Sequence, residues 1–250
     1  MRCDLTWLAL ALALVSAPAV ALAGEAVIYD IDGETFEGYR ATPSDDSKGL
    51  VLIIHDWDGL TAYEQKRAEM LAVMGYDAFA VDIFGKGNRP VEIADKKKEA
   101  GKLYDDRARM RKLILGGLAE ARKESGEKTV VMGYCFGGTA TLELARSGGA
   151  EDVVGYTSFH GGLATPEDQT YPAGTPPILV AHGGADASVS MDDVAALSQE
   201  LEKAGVPYEI EVYSGAPHGF TNFTSDKYQK RADKQSWDAF SDFLSMTLAD

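Results

Sequence analysis

Three residues in this chain have the types and order that nucleophilic catalysis requires: Cys135, Asp186 and His218. Such catalysis needs a nucleophile, a base within hydrogen-bond reach of it, and a group that orients the base. Cys135 would attack. His218 would take the thiol proton and later protonate the leaving group. Asp186 would hold the imidazole tautomer and stabilise its charged form. Cys135 lies in Gly133-Tyr134-Cys135-Phe136-Gly137, the G-x-S-x-G elbow pattern with sulfur in place of oxygen. Glycines two residues either side keep a sharp strand-to-helix corner clear. The helix that begins after Cys135 aims free N–H groups at the sulfur, which favours thiolate and an oxyanion on bound substrate. Each residue also has an ordinary use: a small buried hydrophobe, a turn former, a satisfied core histidine. Their joint placement favours chemistry.

That placement follows from the hydrophobic runs. Ala26–Ile31 and Thr35–Ala41 bracket Asp32-Gly33, a hairpin signal. Leu50–Ile54 is a continuous apolar run, as expected of a strand buried on both faces. A helix over Ala62–Met74 follows, capped near Thr61 and stopped by Gly75. Strands are predicted at Ala78–Val81, Thr129–Met132, Val153–Ser158, Pro177–Ala181 and Tyr208–Tyr213. In the last, Ile210 and Val212 alternate with Glu209 and Glu211. Helices are predicted over Val91–Ser125, broken near Gly101 and Gly116-Gly117, then from Ala140, over Asp192–Ala204, and over Asp226–Met246. Strands alternating with helices imply a mostly parallel sheet covered on both faces. Ligands gather at the carboxyl ends of such strands, and Asp56, Cys135, Asp186 and His218 all lie just past predicted strands. His182 is expected to tie loops together, and His55 to do that or line the site.

Composition removes other classes. A chain of 250 residues, 45% hydrophobic, can bury one sizeable core, and its net charge of −15 argues against nucleic-acid binding. The scattered histidines have no metal-ligand spacing. Met1-Arg2, the apolar run Leu5–Val15, Pro18 and Ala21-Leu22-Ala23 read as a secretory signal peptide over residues 1–23. The expectations are export to the periplasm or beyond, cleavage after Ala23, no stable membrane association afterwards, and a single domain over 24–250. Cys3 would leave with the signal. The mature chain would keep Cys135 alone, an unpaired thiol in an oxidising compartment.

Read together, HDWDGL at 55–60, VDIFG at 81–85, GYCFGG at 133–138, HGGAD at 182–186 and PHGF at 217–220 resemble the dienelactone hydrolase family, within the α/β-hydrolase fold. The resemblance spans almost all of the mature chain. It implies a mostly parallel central sheet with helices on both faces and an N-terminal β-hairpin. It also implies hydrolysis of a small ester or lactone through a thioester acyl-enzyme, without a cofactor. It assigns the oxyanion hole to the backbone N–H groups of Phe136 and Trp57. Asp56 stands where the family commonly carries a glutamate that contacts the resting thiol, one methylene shorter. Lys86 and Asn222 stand where well-studied members place arginines for a substrate carboxylate, so the mechanism is expected to carry over better than the dienelactone substrate. Phe220 and His160 are further candidates to line the site. The alternatives are a non-catalytic binding protein on the same fold and a redox-active thiol protein. Oligomeric state is left open.

Overall fold

The computed structural model describes residues 24–126 and 128–249. The segment read as a signal peptide lies outside them. Eight strands form one sheet: β1 (Glu25–Ile31), β2 (Glu34–Ala41), β3 (Leu50–Ile54), β4 (Asp77–Val81), β5 (Thr129–Tyr134), β6 (Val153–Phe159), β7 (Ile178–Gly183) and β8 (Tyr208–Tyr213). Their order is β1-β2-β4-β3-β5-β6-β7-β8. The hairpin β1–β2 is antiparallel, and β2 joins β4 antiparallel. All other pairings are parallel. The hairpin turns where expected, because Asp32 and Gly33 both take positive φ, 52° and 81°. A two-residue turn matched to strand twist requires that conformation.

Six helices cover the sheet: α1 (Ala62–Val73), α2 (Ile93–Asp105), α3 (Arg107–Ala121), α4 (Phe136–Ser147), α5 (Met191–Ala204) and α6 (Lys230–Thr247). Strands β3, β4, β5 and β7 are buried along their whole length, and their side chains divide between two cores with period two. Leu50, Leu52 and Ile54 of β3 join Leu113 of α3, Leu142 of α4 and Leu197 of α5. Val51 and Ile53 join Leu71 of α1 and Phe240 of α6. At about 25 cal/mol per Å² of apolar surface removed from water, this double burial is the main stabilisation of the sheet.

The sequence reading departs from the structure at three places. The break between α2 and α3 falls at Asp106, whose carboxylate accepts the Arg109 N–H at 2.9 Å. The glycines lie inside helices; Gly116 and Gly117 are there because α3 packs directly on Ile31 and Val81. Helix α6 begins at Lys230, because residues 222–229 are held in turns, with Ser225 N–H on Asn222 O, Tyr228 N–H on Ser225 O and Gln229 N–H on Phe220 O. On β8 the alternation fails at Val212, 43% exposed, because β8 is the sheet's edge strand.

The two kinds of helical glycine make opposite predictions. A Cβ at Gly117 would collide with the Val81 side chain, whereas a Cβ at Gly101 meets nothing within 4 Å. Gly117→Ala is expected to lose about 1–3 kcal/mol in urea unfolding. Gly101→Ala is expected to gain about 0.5–1 kcal/mol, chiefly by restricting the unfolded chain.

Candidate active site

The site starts from a close approach. After β5 the chain turns at Cys135, with φ 50° and ψ −108°, a conformation that non-glycine residues rarely adopt. The turn is held by Cys135 N–H on Phe159 O at 3.0 Å and Thr139 N–H on Cys135 O at 3.1 Å. A Cβ at Gly133 would run into the Gly137 backbone. A Cβ at Gly137 would run into the carbonyls of Ile54 and His55 at the end of β3. The glycines of the elbow pattern are there because backbone meets backbone.

The other two candidates arrive on neighbouring loops. Gly184 N–H bonds Tyr213 O at 2.8 Å and Ala185 N–H bonds Ala216 O at 2.9 Å, so the loop after β7 is laced to the loop after β8. Asp186 accepts Ser188 N–H at 2.8 Å and Val189 N–H at 3.0 Å on Oδ1. That leaves Oδ2 for His218 Nδ1, 2.7 Å away. A carboxylate accepts only, so Nδ1 carries the proton and Nε2 faces Cys135 Sγ at 3.0 Å as an acceptor. The Asp186 side chain is fully buried, and that of His218 is 20% exposed.

The loop after β3 supplies the fourth wall. Its turn rests on the capping box of α1. The buried Glu64 takes Asp56 N–H on Oε1 at 3.2 Å and Thr61 N–H on Oε2 at 2.8 Å. The Asp56 carboxylate lies close enough to act on the Cys135 sulfur despite being one methylene short. Its Oδ1 accepts the Trp57 N–H at 2.5 Å. The same carboxylate therefore acts on the sulfur and holds the Trp57 N–H. The Phe136 N–H points at the sulfur as well.

Electrostatics reverse one expectation. Burial, then the Asp56 charge and its hydrogen bond, push the Cys135 thiol well above its ordinary range. The N–H of Phe136 pulls the other way and loses, so the surroundings favour the protonated thiol. Burial and the Asp58 charge push Asp56 itself up to about 6.

The remaining candidates are placed elsewhere. His160 is 1% exposed, with Nε2 on Thr221 Oγ1 at 2.7 Å; it stands behind His218, ring centroids 5.4 Å apart, and does not line a surface. Phe220 is a fully buried core residue against Tyr213 and His160. The Lys86 side chain is 50% exposed and faces Glu37 at 4.0 Å. Asn222 Oδ1 caps its own loop at Thr224 N–H, 3.0 Å. His182 is buried, but its Nδ1 has no hydrogen-bond partner among the described residues. Tyr104, which sequence reasoning missed, stands edge-on to Phe136 at 5.3 Å; its phenol is pushed up to about 12 by burial. Nothing in its helical context singles it out. Glu64 was missed as well, and the capping pattern Thr61-x-x-Glu64 is the signal that could have found it.

A parallel sheet of this order, with a positive-φ corner after β5 and acid and histidine on the loops after β7 and β8, defines an α/β-hydrolase. The dienelactone hydrolase family matches residues 36–248. The chain belongs to that family and is a hydrolase of carboxylic ester or lactone bonds. It is 31% identical over 211 residues to the protein usf of Aquifex pyrophilus, covering 80% of this chain and 87% of that one. It is 28% identical over 239 residues to a protein of Aquifex aeolicus assigned as a carboxymethylenebutenolidase, covering 90% and 99%. Among solved structures it resembles a dienelactone hydrolase-like promiscuous phosphotriesterase from metagenomic libraries: TM-score 0.81, 25% identity, 90% of this chain and 98% of that one.

Removing the Asp56 charge removes a cause of the high thiol pKa, so the thiolate fraction at pH 7.5 rises. Asp56→Asn is expected to speed iodoacetamide alkylation of Cys135 by about tenfold, one pKa unit's worth.

Proposed function

We propose that the protein is an exported thiol hydrolase of small, uncharged esters or lactones, working through a thioester on Cys135. The observation that carries this reading is the continuous line from Asp186 Oδ2 to His218 Nδ1, 2.7 Å, and from His218 Nε2 to Cys135 Sγ, 3.0 Å.

In the resting enzyme Asp56 keeps the thiol protonated. An incoming carbonyl oxygen takes the place of Asp56 Oδ1 on the Trp57 N–H, which moves negative charge away from the sulfur. Sγ then attacks the acyl carbon while His218 Nε2 takes the thiol proton. The resulting oxyanion accepts hydrogen bonds from Trp57 and Phe136 N–H, donors already in place before charge develops. Collapse breaks the acyl–oxygen bond, and His218 gives its proton to the departing alkoxide. Water then attacks the thioester, His218 takes the water's proton, and the expelled thiolate recovers a proton from His218 as the acid leaves. Asp186 stabilises the imidazolium in both halves.

The substrate class rests on charge. Asp56, Asp58, Glu64 and Asp186 surround the site. Lys86 is turned to Glu37, and Asn222 carries no charge. Nothing in that arrangement welcomes a substrate carboxylate. The aligned triad weighs against a binding protein that has lost activity, and the protonated thiol weighs against a redox role. Export rests on the sequence pattern of residues 1–23. Among the described residues no helix is long and apolar enough to cross a membrane.

Three measurements test this. Cys135→Ala is expected to cut p-nitrophenyl acetate hydrolysis by at least about 1,000-fold, and equal rates would remove the thiol from the mechanism. kcat/KM for p-nitrophenyl acetate is expected to exceed that for the hemisuccinate, with its free carboxylate, by about 10-fold or more; the reverse order would contradict an uncharged substrate. Mass spectrometry of the protein expressed with its leader is expected to find Gly24 at the amino terminus, and an intact Met1 would count against export.

A further inference from the structure

We propose that His55 is a positioning residue for the oxyanion hole: its imidazole fixes the Asp56–Trp57 peptide and so aims the Trp57 N–H. This rests on the role given to Trp57 above.

The geometry settles the state of the ring. His55 follows β3 directly and is fully buried. Its Nδ1 lies 2.6 Å from Asp56 O, and its Nε2 accepts Ile83 N–H at 3.2 Å. A carbonyl only accepts and a backbone N–H only donates. The imidazole is therefore neutral, with its proton on Nδ1 and its lone pair on Nε2. The C=O of Asp56 and the N–H of Trp57 belong to one planar peptide and point in opposite directions. Drawing the oxygen onto His55 turns the N–H outward, to where the Asp56 carboxylate now meets it. Gly59 N–H, 3.1 Å from the same oxygen, supports this without replacing the ring. Packing holds the ring as well. The His55 ring stacks on Phe136 at 6.1 Å and stands edge-on to Phe84 at 4.6 Å. Phe136 carries the second oxyanion donor, so one imidazole braces both. Donor direction matters more for a developing oxyanion than for a ground-state carbonyl, so the effect belongs in kcat.

Two isosteric variants separate the ring's two contacts. His55→Asn keeps an N–H at the place of Nδ1. His55→Gln puts its amide at the place of Nε2 and leaves nothing at Nδ1. With p-nitrophenyl acetate, His55→Gln is expected to lower kcat by about 100-fold with KM within about twofold, and His55→Asn to stay within about tenfold of wild type. Alkylation of Cys135 by iodoacetamide needs no oxyanion donor and is expected to stay within about twofold in both. Wild-type kcat in His55→Gln, equal losses in both variants, or alkylation falling in step with kcat would each overturn the proposal. The unmutated enzyme gives an answer independent of variant folding. In a nitrogen-15 spectrum of its histidines, His55 is expected as the Nδ1–H tautomer, and an Nε2–H signal would overturn the assignment. Turnover that survives Cys135→Ala would sink the thiol-hydrolase reading and this one with it. A silent His55→Gln beside an inactive Cys135→Ala would sink this one alone.

Discussion

The distance between the first turn of α4 and the ends of β3 and β5 governs the rest of the site. Gly137 brings the helix onto the carbonyls of Ile54 and His55, and Gly133 brings β5 onto the Gly137 backbone. No side chain fits between, so Cys135 is forced to φ 50°. Backbone strain of that kind costs about 1–3 kcal/mol and persists only where the surroundings over-determine it. Here α4 is buried along nearly its whole length. Its far half is also tied to α3: Glu143, buried, takes Arg107 at 2.8 Å and Arg111 at 2.5 Å. The helix cannot retreat to relax the corner.

With the corner fixed, the chemistry becomes a contest of fields around one sulfur. The helix N-terminus contributes partial positive charge, but it falls off within a turn. Burial acts on the whole ionised form, and Asp56 adds a full negative charge beside it. The two together win. Under the proposed mechanism the thiol is activated by rearrangement at the moment of reaction and not by a low resting pKa, and Asp56 and His218 have different tasks: one holds a proton in place and the other moves it.

Much of this was legible in the sequence, for reasons that differ by element. β3 and β8 matched to the residue, because an apolar run or a strand between turn residues has sharp ends. The meeting of Cys135, Asp186 and His218 was legible because three such residue types rarely fall at three strand ends, in that order, by chance. The α2–α3 break was not, because Gly101 looks like a breaker although it sits unobstructed inside a helix, and Gly116 and Gly117 look like breakers until Ile31 and Val81 are seen against the helix. His160 and Phe220 read as site residues from their neighbours in sequence, yet both face the core. Periodicity near a strand end does not say which way a loop residue turns. The thiol's resting state was also beyond reach. It depends on burial and on Asp56 reaching the sulfur, and both are facts about packing.

On the proposed mechanism, the Asp56 carboxylate beside Cys135 has a consequence for the protein's lifetime. Thiolates, not thiols, are what peroxides and stray electrophiles attack, and over-oxidation past the sulfenic acid is not readily undone. A sulfur kept protonated between turnovers is therefore chemically quiet for most of the enzyme's existence. Reactivity is confined to the intervals when the pocket is filled, and then the bound substrate itself shields the sulfur. The chain has no second cysteine among the described residues to repair damage by forming a disulfide. In that reading durability has to come from silence, and the Asp56 carboxylate beside the sulfur provides it.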